Sequence, residues 1–229
     1  MSQAGVVTRL AVRELWISFR LLALLAAYVG VGAIIALLPA SEAATTLARL
    51  AVGLGAAIVV GCGIAADALS TERALGRAGW LVTRSISRAT LLLGWFVALA
   101  AVTLLGLGAA GILGWLAIAT PEQRLEPAAV AAVLAGVAAM SLAALAVGLL
   151  FGALLPRVIG TVVALLVGCL LIGAALTVAP SAFVPLAALV DLGTLERPIG
   201  DGLRGTGVFL AVTGASMVAA RVALGRVDL

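Results

Sequence analysis

The sequence predicts an all-α, polytopic membrane protein: six transmembrane helices, an N-terminal amphipathic elbow helix before them, and a partly buried segment before the last span. Three observations carry that prediction. Of the 229 residues, 64% are hydrophobic and only 10% are charged, and the mean hydropathy is +1.30. A soluble domain of this length carries about 25% charged residues, so the excess apolar mass must be solvated by lipid. The apolar residues also form continuous runs of about 20, the length that crosses a hydrocarbon core. Such runs are too long for barrel strands and lack their two-residue alternation, which excludes a transmembrane β-barrel. Residues 1–229 therefore read as one transmembrane domain.

The first element, 3–20, is charged and apolar at helical spacing. At about 100° per residue, Arg9, Arg13 and Arg20 fall within about 40° of one another, with Trp16 about 20° to their side. An Arg/Trp stripe on an otherwise apolar helix fits a segment lying at the cytoplasmic interface, with rings at headgroup level and guanidinium groups on lipid phosphates. The alternative is a plain extension of the first span. The chain then turns into the bilayer near Arg20, making an elbow.

Six spans follow: Leu21–Leu38, Leu47–Ala66, Thr90–Ala119, Ala128–Leu155, Val158–Ala179 and Thr206–Ala223. The first is too long for the apolar core of a signal peptide and reads as retained. An even count puts both termini on one side, and charge decides which. With the N-terminus inside, the inner segments hold Arg9, Arg13, Arg20, Arg73, Arg77, Arg84, Arg88, Arg157, Arg221 and Arg226; the outer ones hold Arg49, Arg124, Arg197 and Arg204. Ten arginines against four place both termini in the cytoplasm by the positive-inside rule. The net charge of +4 is thus a topology signal, and no nucleic-acid partner is implied. Outside, segment 180–205 is half apolar, and its run Ala182–Val190 is too short to span. It is expected to be re-entrant or interfacial, with an ordinary surface loop as the alternative.

Absences narrow the chemistry. There is no lysine and no histidine. A P-loop needs lysine to reach the β- and γ-phosphates, so this chain carries no Walker A site. The commonest general base and metal ligand is also missing. No metal site or cofactor is implied in this chain, and its energy must come from an ion gradient or another subunit. Cys62 and Cys169 sit singly in separate apolar runs and read as small hydrophobes. No charge falls near the centre of a span, which counts against an ion-coupled carrier or channel. A membrane enzyme or assembly scaffold is a further alternative, and the lack of histidine and of clustered acids argues against the enzyme. Gly148 and Gly152 form a GxxxG pattern, a candidate dimerisation face, and Gly106, Gly108, Gly111 and Gly114 line the third span.

The remaining polar insert, 67–90, reads DALSTERALGRAGWLVTRSISRAT. Ser70 is expected to cap a short helix with Glu72 in its first turn. Gly76 and Gly79 end it, and a second helix starts near Ser85 or Ser87 and runs into the third span. By composition alone this is a cytoplasmic loop with arginines on lipid phosphates.

The pattern Glu72-Arg73-x-x-Gly76, then Ser87-Arg88, then Leu91-Leu92-Leu93-Gly94, resembles the membrane permeases of type 2 ATP-binding-cassette exporters. Their loop after span two carries E-R-x-x-G-T, then P-x-S-R, then L-L-G-K. Here Arg77, Ser85 and Trp95 replace the threonine, proline and lysine. The layout is similar along the whole chain, including the elbow, six spans, the segment before the last span, and a tail ending in Arg226-Val227-Asp228-Leu229. Cytochrome c maturation permeases of the same superfamily share that layout and are an alternative. The resemblance implies a multi-pass permease of an export system in the plasma (inner) membrane of a prokaryote. It would pair with a second copy or a paralogue, and with two separate ATPase subunits that hold ATP and magnesium. On that reading the coupling residues are Glu72, Arg73, Gly76, Arg77, Arg84, Ser87 and Arg88. Glu72 would brace the coupling helix and Gly76 would permit the turn. Arg73, Arg77 and Arg84 would meet acidic groups on the ATPase, and Arg88 would anchor span three. A pathway lined by Ala, Leu, Val and Gly suits an apolar or amphipathic cargo.

Overall fold

A computed structural model describes residues 3–38, 43–76, 86–117, 127–177 and 200–226. Among them the chain is all-α, with seven helices: α1 Gln3–Ile17, α2 Arg20–Leu37, α3 Ala43–Ala74, α4 Arg88–Leu116, α5 Pro127–Leu154, α6 Arg157–Thr177 and α7 Gly200–Arg226. Five of these, α2, α3, α4, α5 and α7, are long and apolar enough to cross a membrane, while the apolar stretch of α6, Arg157–Leu170, is shorter. Each of α2–α7 falls on one of the six apolar runs. The protein is therefore a multi-pass, membrane-embedded helical bundle.

Helix ends depart from expectation in three places. First, the elbow helix stops at Ile17 instead of reaching residue 20. Ser18 and Phe19 form the corner, Phe19 has φ 59°, and Arg20 opens α2. Arg20 thus leaves the Arg9/Arg13/Trp16 stripe. Second, Ser70 does not start a new helix. α3 runs without a break from Ala43 to Ala74, so Glu72 sits in its last turn. The polar residues Ser70 and Thr71 do not interrupt the helix because each bonds back one turn, Ser70 Oγ to Ala66 O at 2.7 Å and Thr71 Oγ1 to Asp67 O at 2.7 Å. Third, residues 200–205, expected in the re-entrant segment, are the first turns of α7. The rest of that expectation, 180–199, lies outside the described residues, as do Gly79 and Ser85.

Two other helix boundaries follow their sequence signals. Gly76 ends the turn after α3 at φ +70°, a conformation that costs glycine nothing. Ser87 caps α4, its Oγ accepting from Thr90 N at 3.1 Å.

The bundle is built around α3 and α5; among the five long apolar helices these are the most buried, and α2 and α7 the least. α3 packs on α2, α5 and α6, while α5 also packs on α4 and α7, and α1 lies against α4. Small residues set these distances. A methyl group at Gly32 would stand 2.7 Å from Ala110 Cα on α4, and one at Gly106 would stand 2.9 Å from Tyr28 Cβ on α2. Both contacts advance in the same direction, so α2 and α4 run parallel. Gly148 and Gly152 fit α5 against α3 in the same way: a methyl at Gly148 would overlap Cys62 O, and one at Gly152 would come within 2.6 Å of Ala66 O. The GxxxG pattern is therefore spent inside the chain, not offered to a second copy. Of the glycines along α4, Gly111 faces Leu134 and Gly114 faces Leu50, while Gly108 faces open space. Cys62 is buried and Cys169 is exposed.

Candidate functional site: the arginine-lined end of the bundle

With α2 parallel to α4 and α3 parallel to α5, one end of the bundle gathers the starts of α2, α4 and α6 and the finishes of α3, α5 and α7. That end carries Arg20, Arg73, Arg88, Arg157, Arg221 and Arg226 on described helices. Its centre is Asp67, about two turns before the end of α3. Arg20 donates to Asp67 Oδ2 from Nε at 2.9 Å and from Nη2 at 2.5 Å, and Nη2 also donates to Thr71 Oγ1 at 3.0 Å. Arg157 donates to the other oxygen, Asp67 Oδ1, from Nε at 2.6 Å. One carboxylate therefore joins the first residue of α2 and the first residue of α6 to α3.

The two arms differ in shielding. Arg20 is 15% exposed at its side chain and Arg157 is 54% exposed. Charge-assisted hydrogen bonds strengthen as water is excluded and weaken when solvent can compete. Arg20 is the firm arm and Arg157 the labile one.

Arg73 turns inward to the adjacent helix. Its Nη1 donates to Gly152 O at 2.8 Å and to Leu155 O at 3.4 Å, the open carbonyls at the end of α5. A cation there complements the negative end of the helix dipole. Arg73 Nε is buried without a partner among the described residues. Glu72 is only 3% exposed. Neither Glu72 nor Arg73 projects from the bundle, and Arg73 is spent on α5, not held out for an external acid.

Ser87 is exposed at the α4 cap, and Arg88 reaches α7, where a methyl at Gly225 would stand 3.5 Å from Arg88 Nη1. Gly76 is exposed with open space around it. Arg77 and Arg84 lie outside the described residues. On α1, Arg9, Arg13 and Trp16 share an exposed face. The sequence reading missed Asp67, Thr71 and Arg157 as a unit. The available signal was a lone acid at the end of one span with arginines opening two others on the same side.

The opposite end holds a simpler contact. Arg49 Nη1 donates to Leu38 O at 3.0 Å, closing the end of α2. A polar pair lies inside the bundle, Tyr28 O–H donating to Ser141 Oγ at 3.2 Å, which in turn donates to Val137 O at 2.9 Å, and Thr103 Oγ1 is buried without a hydrogen-bond partner among the described residues. Between α4 and α5 lies an apolar groove of ≈ 210 Å³, lined by Gly111, Ile112, Trp115, Val130, Ala131 and Leu134.

No known family model and no curated protein matches this chain. The functional reading therefore rests on the residues themselves and on the motif resemblance.

Proposed function

We propose that this chain is the permease subunit of an ATP-driven exporter, with its arginine-lined end in the cytoplasm and the ATPase supplied by separate subunits docking there. The observation that supports the reading is where the two described ends flanking the motif-bearing segment lie. Gly76 closes α3 and Ser87 opens α4 at the same arginine-rich end, so 77–85 connects two bundle helices where the positive-inside count puts the cytoplasm. An electropositive end of that kind suits an acidic soluble partner. Within this proposal the roles divide. Arg77 and Arg84 make the contact, Gly76 and Ser87 set the ends of the segment, and Arg88 ties it to α7. Glu72 and Arg73 brace the helix ends behind it. Six crossings, a paired second permease and an apolar or amphipathic cargo complete the reading.

The test is recovery of partner chains from native membranes. An ATPase bearing a P-loop should co-purify with this chain, and Arg77→Ala with Arg84→Ala should reduce that recovery at least tenfold while the protein still inserts. Undiminished ATPase recovery with both arginines removed sinks the coupling assignment. Proton- or sodium-dependent uptake by the purified chain alone would replace the exporter reading with a gradient-driven carrier.

A further inference from the structure

We infer that the outward face of α1 is a docking surface for anionic phospholipid headgroups. The face is distinct from the helix's packing face. Val7, Ala11 and Leu15, one turn apart, are buried, and α1 lies against α4 and α2. The other side exposes Val6, Leu10, Val12, Trp16 and Ile17 together with Arg9 and Arg13. A helix that buries one apolar stripe in protein and still exposes large apolar side chains has a second apolar medium on its outer side.

Depth identifies that medium. A methyl at Gly94 would stand 2.5 Å from Val7 Cγ1 and 3.2 Å from Thr8 N, so α1 crosses α4 at Gly94. Gly94 lies six residues, about 9 Å, inside the start of α4 at Arg88. An amphipathic helix at a membrane surface sits about 5–10 Å into the boundary between headgroups and acyl chains. The level fits that boundary, and Trp16 and the exposed Phe19 corner provide the rings that anchor there.

Charge selects the lipid. Arg9 and Arg13 stand one turn apart, and neither makes a hydrogen bond or ion pair with any described residue. Each is a guanidinium fork with its donors open, the geometry that takes phosphate in a bidentate contact. Arg20, by contrast, is consumed by Asp67. A zwitterionic leaflet leaves the two charges unmatched, whereas an anionic headgroup neutralises them, with each basic residue near such a surface contributing about a fivefold preference. This surface is argued from α1 and its crossing of α4 and does not depend on the transport reading.

The experiment uses the full chain in nanodiscs of phosphatidylcholine and phosphatidylglycerol, released into native mass spectrometry to count retained lipids. Wild-type protein is expected to retain phosphatidylglycerol preferentially. Arg9→Gln or Arg13→Gln should cut that enrichment about fivefold, and the double variant about thirtyfold. Arg9→Lys with Arg13→Lys keeps the charge and should retain most of it, which separates charge loss from misfolding. Arg221→Gln with Arg226→Gln, removing two exposed arginines at the end of α7, should cut enrichment by clearly less than the α1 double variant. Equal retention of the two lipids by wild-type protein overturns the proposal. So does an equal loss in the α7 variant, since net charge alone would then explain it.

Discussion

α3 is held by two unlike regions that meet at neighbouring residues. On one side, Ala66 O lies against Gly152 of α5, in a seam so close that neither Gly148 nor Gly152 has room for a methyl group. On the other side, Asp67 holds Arg20 and Arg157 through three charge-assisted bonds. The seam sets a distance between two backbones, and in lipid nothing replaces that contact once it is lost, because packing drives helix association there. The clasp sets which helix ends stand together, through groups that water can compete for at their exposed edge. The core of this bundle is fixed by the absence of side chains, and its polar end by exchangeable charges.

Breaking the seam should cost most. Gly152→Val is expected to destabilise the protein by about 3 kcal/mol, because a backbone carbonyl blocks the new side chain and cannot swing aside. Thermal unfolding in detergent measures this, with Gly108→Val as the control, since Gly108 faces open space and should change stability little. If both variants melt alike, the α3–α5 seam is not the tight contact described. Removing the centre of the clasp comes next. Asp67→Asn leaves two guanidinium groups without their counter-charge and should cost about 2 kcal/mol, with faster amide exchange at the starts of both α2 and α6. The smallest effect belongs to the labile arm. Arg157→Gln should cost about 0.5 kcal/mol and loosen only the first turn of α6, leaving Arg20 and the α2 start protected. Equal losses from Arg157→Gln and Asp67→Asn would show that the exposed arm carries the clasp, reversing the order argued from burial.

How far the sequence revealed this molecule depended on the range of the interactions. Each bundle helix was legible because an apolar run long enough to cross lipid leaves few other solutions, and Ser87 and Gly76 announced helix ends through local backbone chemistry. The continuation of α3 through Asp67, Ser70, Thr71 and Glu72 was not legible. Those residues resemble a helix end, yet Ser70 and Thr71 bond back to their own helix and Asp67 is matched by arginines 47 and 90 residues away. Pairings at that separation leave no periodic trace. The same holds for Arg73, whose placement on the α5 carbonyls follows only from the register of α3 on α5. Arg9, Arg13 and Trp16 were legible as a face because helical geometry alone puts them together, while Arg20 departed with the corner at Phe19.

The two arginine contacts that bracket α2 have a geometric consequence. Arg20 is tied to Asp67 at one end, and the carbonyl of Leu38 is tied to Arg49 at the other. Eighteen residues separate the two points along α2, and eighteen separate them along α3. The antiparallel pair is thus a ladder with rungs about 27 Å apart. A hydrocarbon core of about 30 Å lies close to that span, and each rung is a charged group that resists entering it. The hairpin therefore works as a ruler for the bilayer. It matches a slightly thin membrane, and a thicker one must thin around α2, because a segment shorter than the hydrocarbon core gains nothing by tilting.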